Sequence, residues 1–204
     1  DAALCCCAED TTQKNHYAVT KYQSLLRSGG MNLMELPANI SGFATMEDLT
    51  NTYLENRYYL TQDERKLFDL IKNDVSLQLM EKQIPYLNAT LLYGESGVGK
   101  TAFSRYVAYK LGMPYLYVNF SRMLDSYLGG TAKNLTNLFN FINQQQCVVM
   151  LDEIDSLAVK REYGGGGASA EVSRSTTCLL QLLDAVTNDH VIIAATNLMD
   201  DVDT

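Results

Sequence analysis

The 204-residue chain predicts an α/β fold, a parallel sheet with helices on both faces, preceded by a mainly helical N-terminal region. Three observations carry this expectation. Two wholly apolar runs, residues 148–151 and 191–195, suit strands covered on both faces. Around them, helically spaced segments alternate with short strand-like runs, the rhythm of β-α-β units. A glycine-rich turn at residues 94–101 separates the first of these strands from the first helix of that rhythm. The expected division is residues 1–83, a helical region or linker, and residues 84–204, the α/β core.

Within the first part, Val19, Tyr22, Leu25 and Leu26 follow helical spacing, and Ser28-Gly29-Gly30 is a stop. Residues 32–43, with Pro37 and Gly42, form a looser stretch, after which Met46, Leu49, Tyr53 and Leu54 predict a short amphipathic helix. Thr61-Gln62-Asp63-Glu64 is a capping box, in which the Thr hydroxyl meets the Glu64 amide and the Glu carboxylate reaches back. The helix it opens carries Leu67, Ile71, Val75 and Leu79 as one core-facing stripe. Then come a strand at 90–93, a helix at 100–111 stopped by Gly112, and a strand at 115–118. A helix at 132–143, with Leu135, Leu138, Phe139 and Ile142 on one face, precedes the strand at 148–151. A helix at 170–186 and the strand at 191–195 complete the rhythm, and the four glycines of 164–167 predict a mobile loop.

Composition narrows the function classes. A formal charge of −8 argues against a general binder of nucleic-acid backbones, which needs clustered Lys and Arg. No apolar run reaches membrane-spanning length and no leader opens the chain, so the expectation is a soluble, cytoplasmic protein. Five cysteines, three of them adjacent at Cys5, Cys6 and Cys7, read as reduced thiols, and no metal-ligand spacing is present.

Gly94-Glu95-Ser96-Gly97-Val98-Gly99-Lys100-Thr101 fits G-x-x-x-x-G-K-[ST] at every defined position. A loop that wraps a phosphate must turn its amides inward, which favours residues without a Cβ at the tight points. The helix that follows adds the positive end of its dipole. Lys100 can then reach the β- and γ-phosphates, and the Thr101 hydroxyl can ligate Mg²⁺. The strand at 148–151 leads into Asp152-Glu153. If it lies beside the phosphate loop, Asp152 enters the Mg²⁺ shell and Glu153 is placed to orient and deprotonate an attacking water. These residues predict a nucleoside triphosphate site that hydrolyses rather than merely binds.

Three motifs in order, residues 94–101, Asp152-Glu153-Ile154-Asp155 and Ala194-Ala195-Thr196-Asn197, resemble Walker A, Walker B and sensor 1 of an AAA+ ATPase. The resemblance covers roughly residues 84–204, and the Asp-Glu-Ile-Asp form and Ala-Thr-Asn ending resemble the AAA subgroup that includes proteasomal ATPases, katanin, spastin and membrane-bound AAA proteases. It implies a P-loop three-layer sandwich of strand order 5-1-4-3-2, with ATP and Mg²⁺ as cofactors. It also implies that Asn197 helps position the hydrolytic water. Tyr127-Leu128-Gly129 resembles the first pore loop of the family, where an aromatic and an apolar residue grip an extended polypeptide. A hexameric homo-oligomer acting on polypeptide is the implied assembly; a DNA-associated loader and a nucleotide-holding assembly module are the alternatives. Arg161 and Arg174 are the candidate cations toward a neighbouring subunit.

The chain departs from the family at several points. Glu95-Ser96 stands where close relatives carry two prolines, and Gly130 and Ala132 are neutral where acids are usual. Ser41-Gly42-Phe43 is the candidate for the adenine-holding segment. Relatives continue past the position of Thr204 into arginine fingers, a fifth strand and a helical lid, so the expectation is an ATPase core lacking strand 5 and lid, with strand 1 at an open edge.

Overall fold

The computed structural model describes residues 35–49, 58–81, 88–125, 130–156, 166–186 and 190–197. Their elements run β1 (Ala44–Glu47), α1 (Gln62–Glu81), β2 (Asn88–Tyr93), α2 (Lys100–Leu111), β3 (Tyr115–Asn119), α3 (Phe120–Asp125), α4 (Thr131–Ile142), β4 (Val148–Asp152), α5 (Gly166–Asp184) and β5 (Val191–Thr196). One five-stranded sheet forms, in the order β1-β3-β4-β5-β2. The pairs β2/β5, β3/β4 and β4/β5 are parallel, as the β-α-β rhythm predicts. Strand by strand, β2-β5-β4-β3 is the 1-4-3-2 part of the expected order, and β2 is paired on one side only among the described residues.

The sheet separates two cores because successive strand residues point to opposite faces. Leu116, Val118, Val149, Leu151 and Ile192 face α4 and α5, against Leu135, Leu138, Phe139, Ile142 and Leu179. Tyr115, Val148, Met150, Val191, Ile193 and Ala195 face α1 and α2, against Ile71, Phe103, Val107 and Leu111. This is the three-layer α/β sandwich. Burying each Leu, Ile or Phe contributes roughly 1.5–3 kcal/mol. For α4, which has no side-chain cap at Gly130, that packing rather than local capping holds the helix in place.

Two local devices act as the sequence predicts. The Thr61 amide donates to Glu64 Oε2 at 2.7 Å, and the Glu64 amide donates to Thr61 Oγ1 at 3.2 Å, closing the capping box. Gly112, at φ 67°, closes α2 in the left-handed conformation, and the Met113 amide reaches the Ala108 carbonyl at 3.0 Å.

The structure corrects three expectations. The sheet is mixed: β1 pairs antiparallel with β3, Ala44 opposite Val118 and Glu47 opposite Tyr115. Met46 therefore lies in a strand, not a helix, and Tyr53 and Leu54 fall outside the described residues. The physical reason is the exposed edge of β3. Ile40, Phe43 and Ala44 bury beneath it, the Asn119 amide donates to the Phe43 carbonyl at 2.9 Å, and four residues suffice to satisfy that edge. Glu47 is further tied to Arg105 of α2 by an ion pair. Second, α5 begins at Gly166, so Gly166 and Gly167 form its first turn instead of a loop. Third, α3 is a helix for which the sequence reading made no provision.

Candidate nucleotide site

Parallel register decides which strand ends meet. Tyr93 pairs with Thr196, so Gly94 and Asn197, the residues that follow, leave the sheet together. Asn119 pairs with Asp152, which sets the end of β3 beside the two carboxylates. All of these are carboxyl ends of strands, where open α/β sheets form their crevices.

The loop after β2 has its tight points at glycine. Gly94, Gly97 and Gly99 take φ of 147°, 84° and 102°. A Cβ at Gly97 or Gly99 would meet nothing within 4 Å, so the backbone conformation, and not crowding by the chain, demands glycine there. Gly99 also caps α2 without any side-chain hydrogen bond, which leaves the first-turn amides of that helix to an anion. Glu95, Ser96, Gly97 and Val98 are exposed.

Lys100, the first residue of α2, donates to the Gly94 carbonyl at 2.6 Å, to the Glu95 carbonyl at 3.0 Å and to Asn197 Oδ1 at 2.9 Å. Thr101 Oγ1 donates to Asp152 Oδ2 at 3.4 Å. These hard oxygen donors beside the glycine-rich loop suit Mg²⁺, which is held through one or two carboxylates plus substrate phosphates. Among the described residues no group of three or more His, Cys, Asp or Glu could hold a metal by itself.

Glu153 has φ 58°, the one non-glycine residue at positive φ among the described residues. A left-handed conformation costs such a residue roughly 1–2 kcal/mol. Four hydrogen bonds hold the turn: the Glu153 amide to Asp152 Oδ1 at 3.0 Å, the Ile154 amide to the Ala195 carbonyl at 3.1 Å, and the Ser156 amide and hydroxyl to the Glu153 carbonyl at 3.1 and 2.7 Å. The strained backbone turns the chain off the sheet at the residue read as the base.

Two residues that the sequence reading missed complete the cluster. Asn119 Nδ2 donates to Glu153 Oε2 at 3.2 Å while its Oδ1 accepts the Arg122 amide at 2.8 Å. The Tyr117 hydroxyl donates to Asp152 Oδ2 at 3.0 Å. Burial raises the Tyr117 hydroxyl above its ordinary value against an opposing hydrogen bond with Asn119, and the charge of Asp152, the bond to it and the charge of Glu153 add to the rise. One rung lower, Tyr115 meets Ser104 Oγ of α2 at 2.8 Å. Tyr115, Tyr117 and Asn119 share one face of β3 at spacing two, a signal present in the sequence once that strand is known to stand beside β4.

The structure thus brings together Gly94, Gly99, Lys100, Thr101, Asp152, Glu153 and Asn197. Ser41-Gly42-Phe43 leads into β1, at the sheet edge opposite β2: the Phe43 carbonyl accepts the Asn119 amide at 2.9 Å, and the Phe43 side chain is buried in the core. Tyr127, Leu128, Gly129 and Arg161 lie outside the described residues, and Arg174 is exposed on α5.

Residues 90–204, more than half of the chain, match the ATPase family associated with various cellular activities (AAA). The chain belongs to the AAA family. It is 32% identical over 145 residues to ATP-dependent zinc metalloprotease FtsH 1 of Alkaliphilus metalliredigens, covering 70% of this chain and 24% of that protein. It is 39% identical over 108 residues to the uncharacterized AAA family ATPase y4kL of Sinorhizobium fredii, covering 53% and 32%. With the 26S proteasome regulatory subunit 10B homolog A of Arabidopsis thaliana it shares 35% identity over 116 residues, covering 55% and 29%. The chain spans about a quarter to a third of the length of these three relatives. AAA membership makes this an ATPase domain related to ATP-dependent proteases and proteasome regulatory subunits, and it implies the use of ATP with Mg²⁺. No described helix of this AAA domain is long and apolar enough to cross a membrane.

Proposed function

We propose that this chain is the ATP-binding and ATP-hydrolysing domain of a ring-forming AAA+ motor that unfolds or remodels protein substrates. The observation that carries this reading is the meeting of Lys100, Thr101, Asp152, Glu153 and Asn197 at neighbouring strand ends. Family relatives named as an ATP-dependent protease and a proteasome subunit support a polypeptide as substrate, and the charge of −8 counts against a DNA-associated loader.

In this reading the amides of residues 94–101 and the Lys100 ammonium hold the β- and γ-phosphates. Thr101 and Asp152 hold Mg²⁺, which when bound with ATP neutralises phosphate charge and polarises the phosphoryl oxygens. Glu153 accepts a proton from water at its carboxylate, and Asn197 orients that water. Tyr127, Leu128 and Gly129 contact the polypeptide in a hexameric ring of identical subunits. The setting is cytoplasmic, in keeping with the free thiols of Cys147 and Cys178.

The deciding experiment is steady-state ATP turnover against protein concentration with Mg²⁺, for the unaltered chain, Lys100→Ala and Glu153→Gln. The reading expects turnover that rises more steeply than linearly, no nucleotide binding by Lys100→Ala, and binding without turnover in Glu153→Gln, down by about 10²–10⁴-fold. Turnover surviving in Glu153→Gln removes that residue as the base. Strictly linear turnover removes the coupling between subunits.

A further inference from the structure

We propose that Tyr117 is a positioning residue for the metal-holding carboxylate: its hydroxyl sets the plane in which Asp152 meets Thr101. The inference rests on the reading of Asp152 as a Mg²⁺ ligand. A carboxylate can only accept hydrogen bonds, and its terminal torsion is soft, so a single contact leaves it free to turn. Here Oδ1 accepts the Glu153 amide at 3.0 Å, while Oδ2 accepts the Tyr117 hydroxyl at 3.0 Å and Thr101 Oγ1 at 3.4 Å. The tyrosine is the closer of the two side chains on Oδ2. Contacts on both oxygens define the plane, and of the four acceptor sites of the carboxylate these three bonds leave one, on Oδ1.

Only a long side chain can do this from β3. Tyr117 pairs with Met150, so Asp152 is its diagonal neighbour two residues further along β4. Strands stand about 4.8 Å apart and two residues rise about 6.6 Å, so this diagonal is about 8 Å, within reach of an aromatic residue but not of Ser or Thr. The ring packs against the α1/α2 core and is half-buried, which fixes where the hydroxyl stands. Asn119, two residues on, donates to Glu153, so each of the two neighbouring carboxylates has its own donor from β3.

Tyr117→Phe removes the hydroxyl and keeps the ring. The test is binding of a fluorescent, non-hydrolysable ATP analogue to the chain, titrated with Mg²⁺ and repeated in EDTA, alongside thermal unfolding. The expected result is a half-maximal Mg²⁺ concentration raised about three- to tenfold, with binding in EDTA and the unfolding midpoint unchanged. Mn²⁺ bound to the analogue-loaded chain, read by electron paramagnetic resonance, shows the same weakening. An unchanged Mg²⁺ requirement, with or without a lower unfolding midpoint, overturns the proposal and leaves the nucleotide site standing. A lowered requirement also overturns it, since the hydroxyl would then compete with the metal for Oδ2. If the unaltered chain binds the analogue without any dependence on Mg²⁺, the reading of Asp152 and the role of Tyr117 fall together.

Discussion

Lys100 and Asn197 are 97 positions apart in the chain, and their side chains meet at 2.9 Å. The contact follows from the parallel register of β2 and β5, which carries the residues after Tyr93 and Thr196 off the sheet side by side. The same ammonium takes the carbonyls of Gly94 and Glu95, all of them neutral acceptors. A phosphate offers it charged oxygens instead, and charge-assisted bonds are about twice as strong as neutral ones, so the exchange favours the ligand. In the proposed reading this exchange frees Asn197 from the ammonium.

That geometry separates two roles for Asn197. In Asn197→Ala the Lys100 ammonium keeps both loop carbonyls, so affinity for an ATP analogue should stay within about threefold. Turnover should fall about 10–100-fold, the penalty for a misplaced reactant. Single-turnover and binding measurements on the same preparation check this. Equal turnover would leave Asn197 as a turn residue and nothing more.

Asn119 offers a cleaner electrostatic test because it has two functions that one substitution divides. Asp at this position still accepts the Arg122 amide at the start of α3, a position that favours Asp as much as Asn. It replaces the donor to Glu153, however, with a second carboxylate. A like charge beside Glu153 in place of its donor should lower turnover of ATP in Asn119→Asp by about tenfold or more, with binding of an ATP analogue held. The fold should be as stable as before. Single-turnover measurements check this, and unchanged turnover would mean that the Asn119 donor does not matter to Glu153.

The capping box predicts an acid-sensitive contribution to stability. Burial opposes ionisation of Glu64, but the hydrogen bonds from Tyr58 and Thr61 outweigh it and hold the carboxyl below its ordinary value. A depressed carboxylate stabilises the fold above its unfolded pKa, and that contribution is lost as pH falls through the folded one. Thr61→Ala should therefore cost about 1 kcal/mol at neutral pH. The difference from the unaltered chain should shrink in acid. Denaturant unfolding of both chains at several pH values measures it, and a pH-independent difference would contradict the assignment.

How much was legible beforehand can be judged residue by residue. The capping box and the Gly112 stop are local: their hydrogen bonds join residues within five positions, so the sequence contains both partners. Residues 148–151 and 191–195 announce themselves because covering a strand on both faces leaves no polar alternation. The cradle glycines are legible for the same local reason, since positive φ at Gly97 and Gly99 is a property of single residues. Met46 was not, because a spacing of three to Leu49 fits a helix equally well, and a strand of four residues carries little period of its own. Tyr117 and Asn119 were not, because their partners are 35 and 34 positions away, at the end of another strand and just past it.

By itself, then, the sequence determined the strands and the long helices from residue 88 onward, the glycine positions of the loop after β2 and the two-faced sheet, all consequences of local backbone preference and hydrophobic period. Tertiary structure alone decided that β1 caps the β3 edge and that Glu153 takes a left-handed turn. It also decided that Tyr117 and Asn119 hold the two carboxylates. These depend on which strand stands next to which, and in what register. Register is set by packing both faces of the sheet at once, a condition no single segment contains.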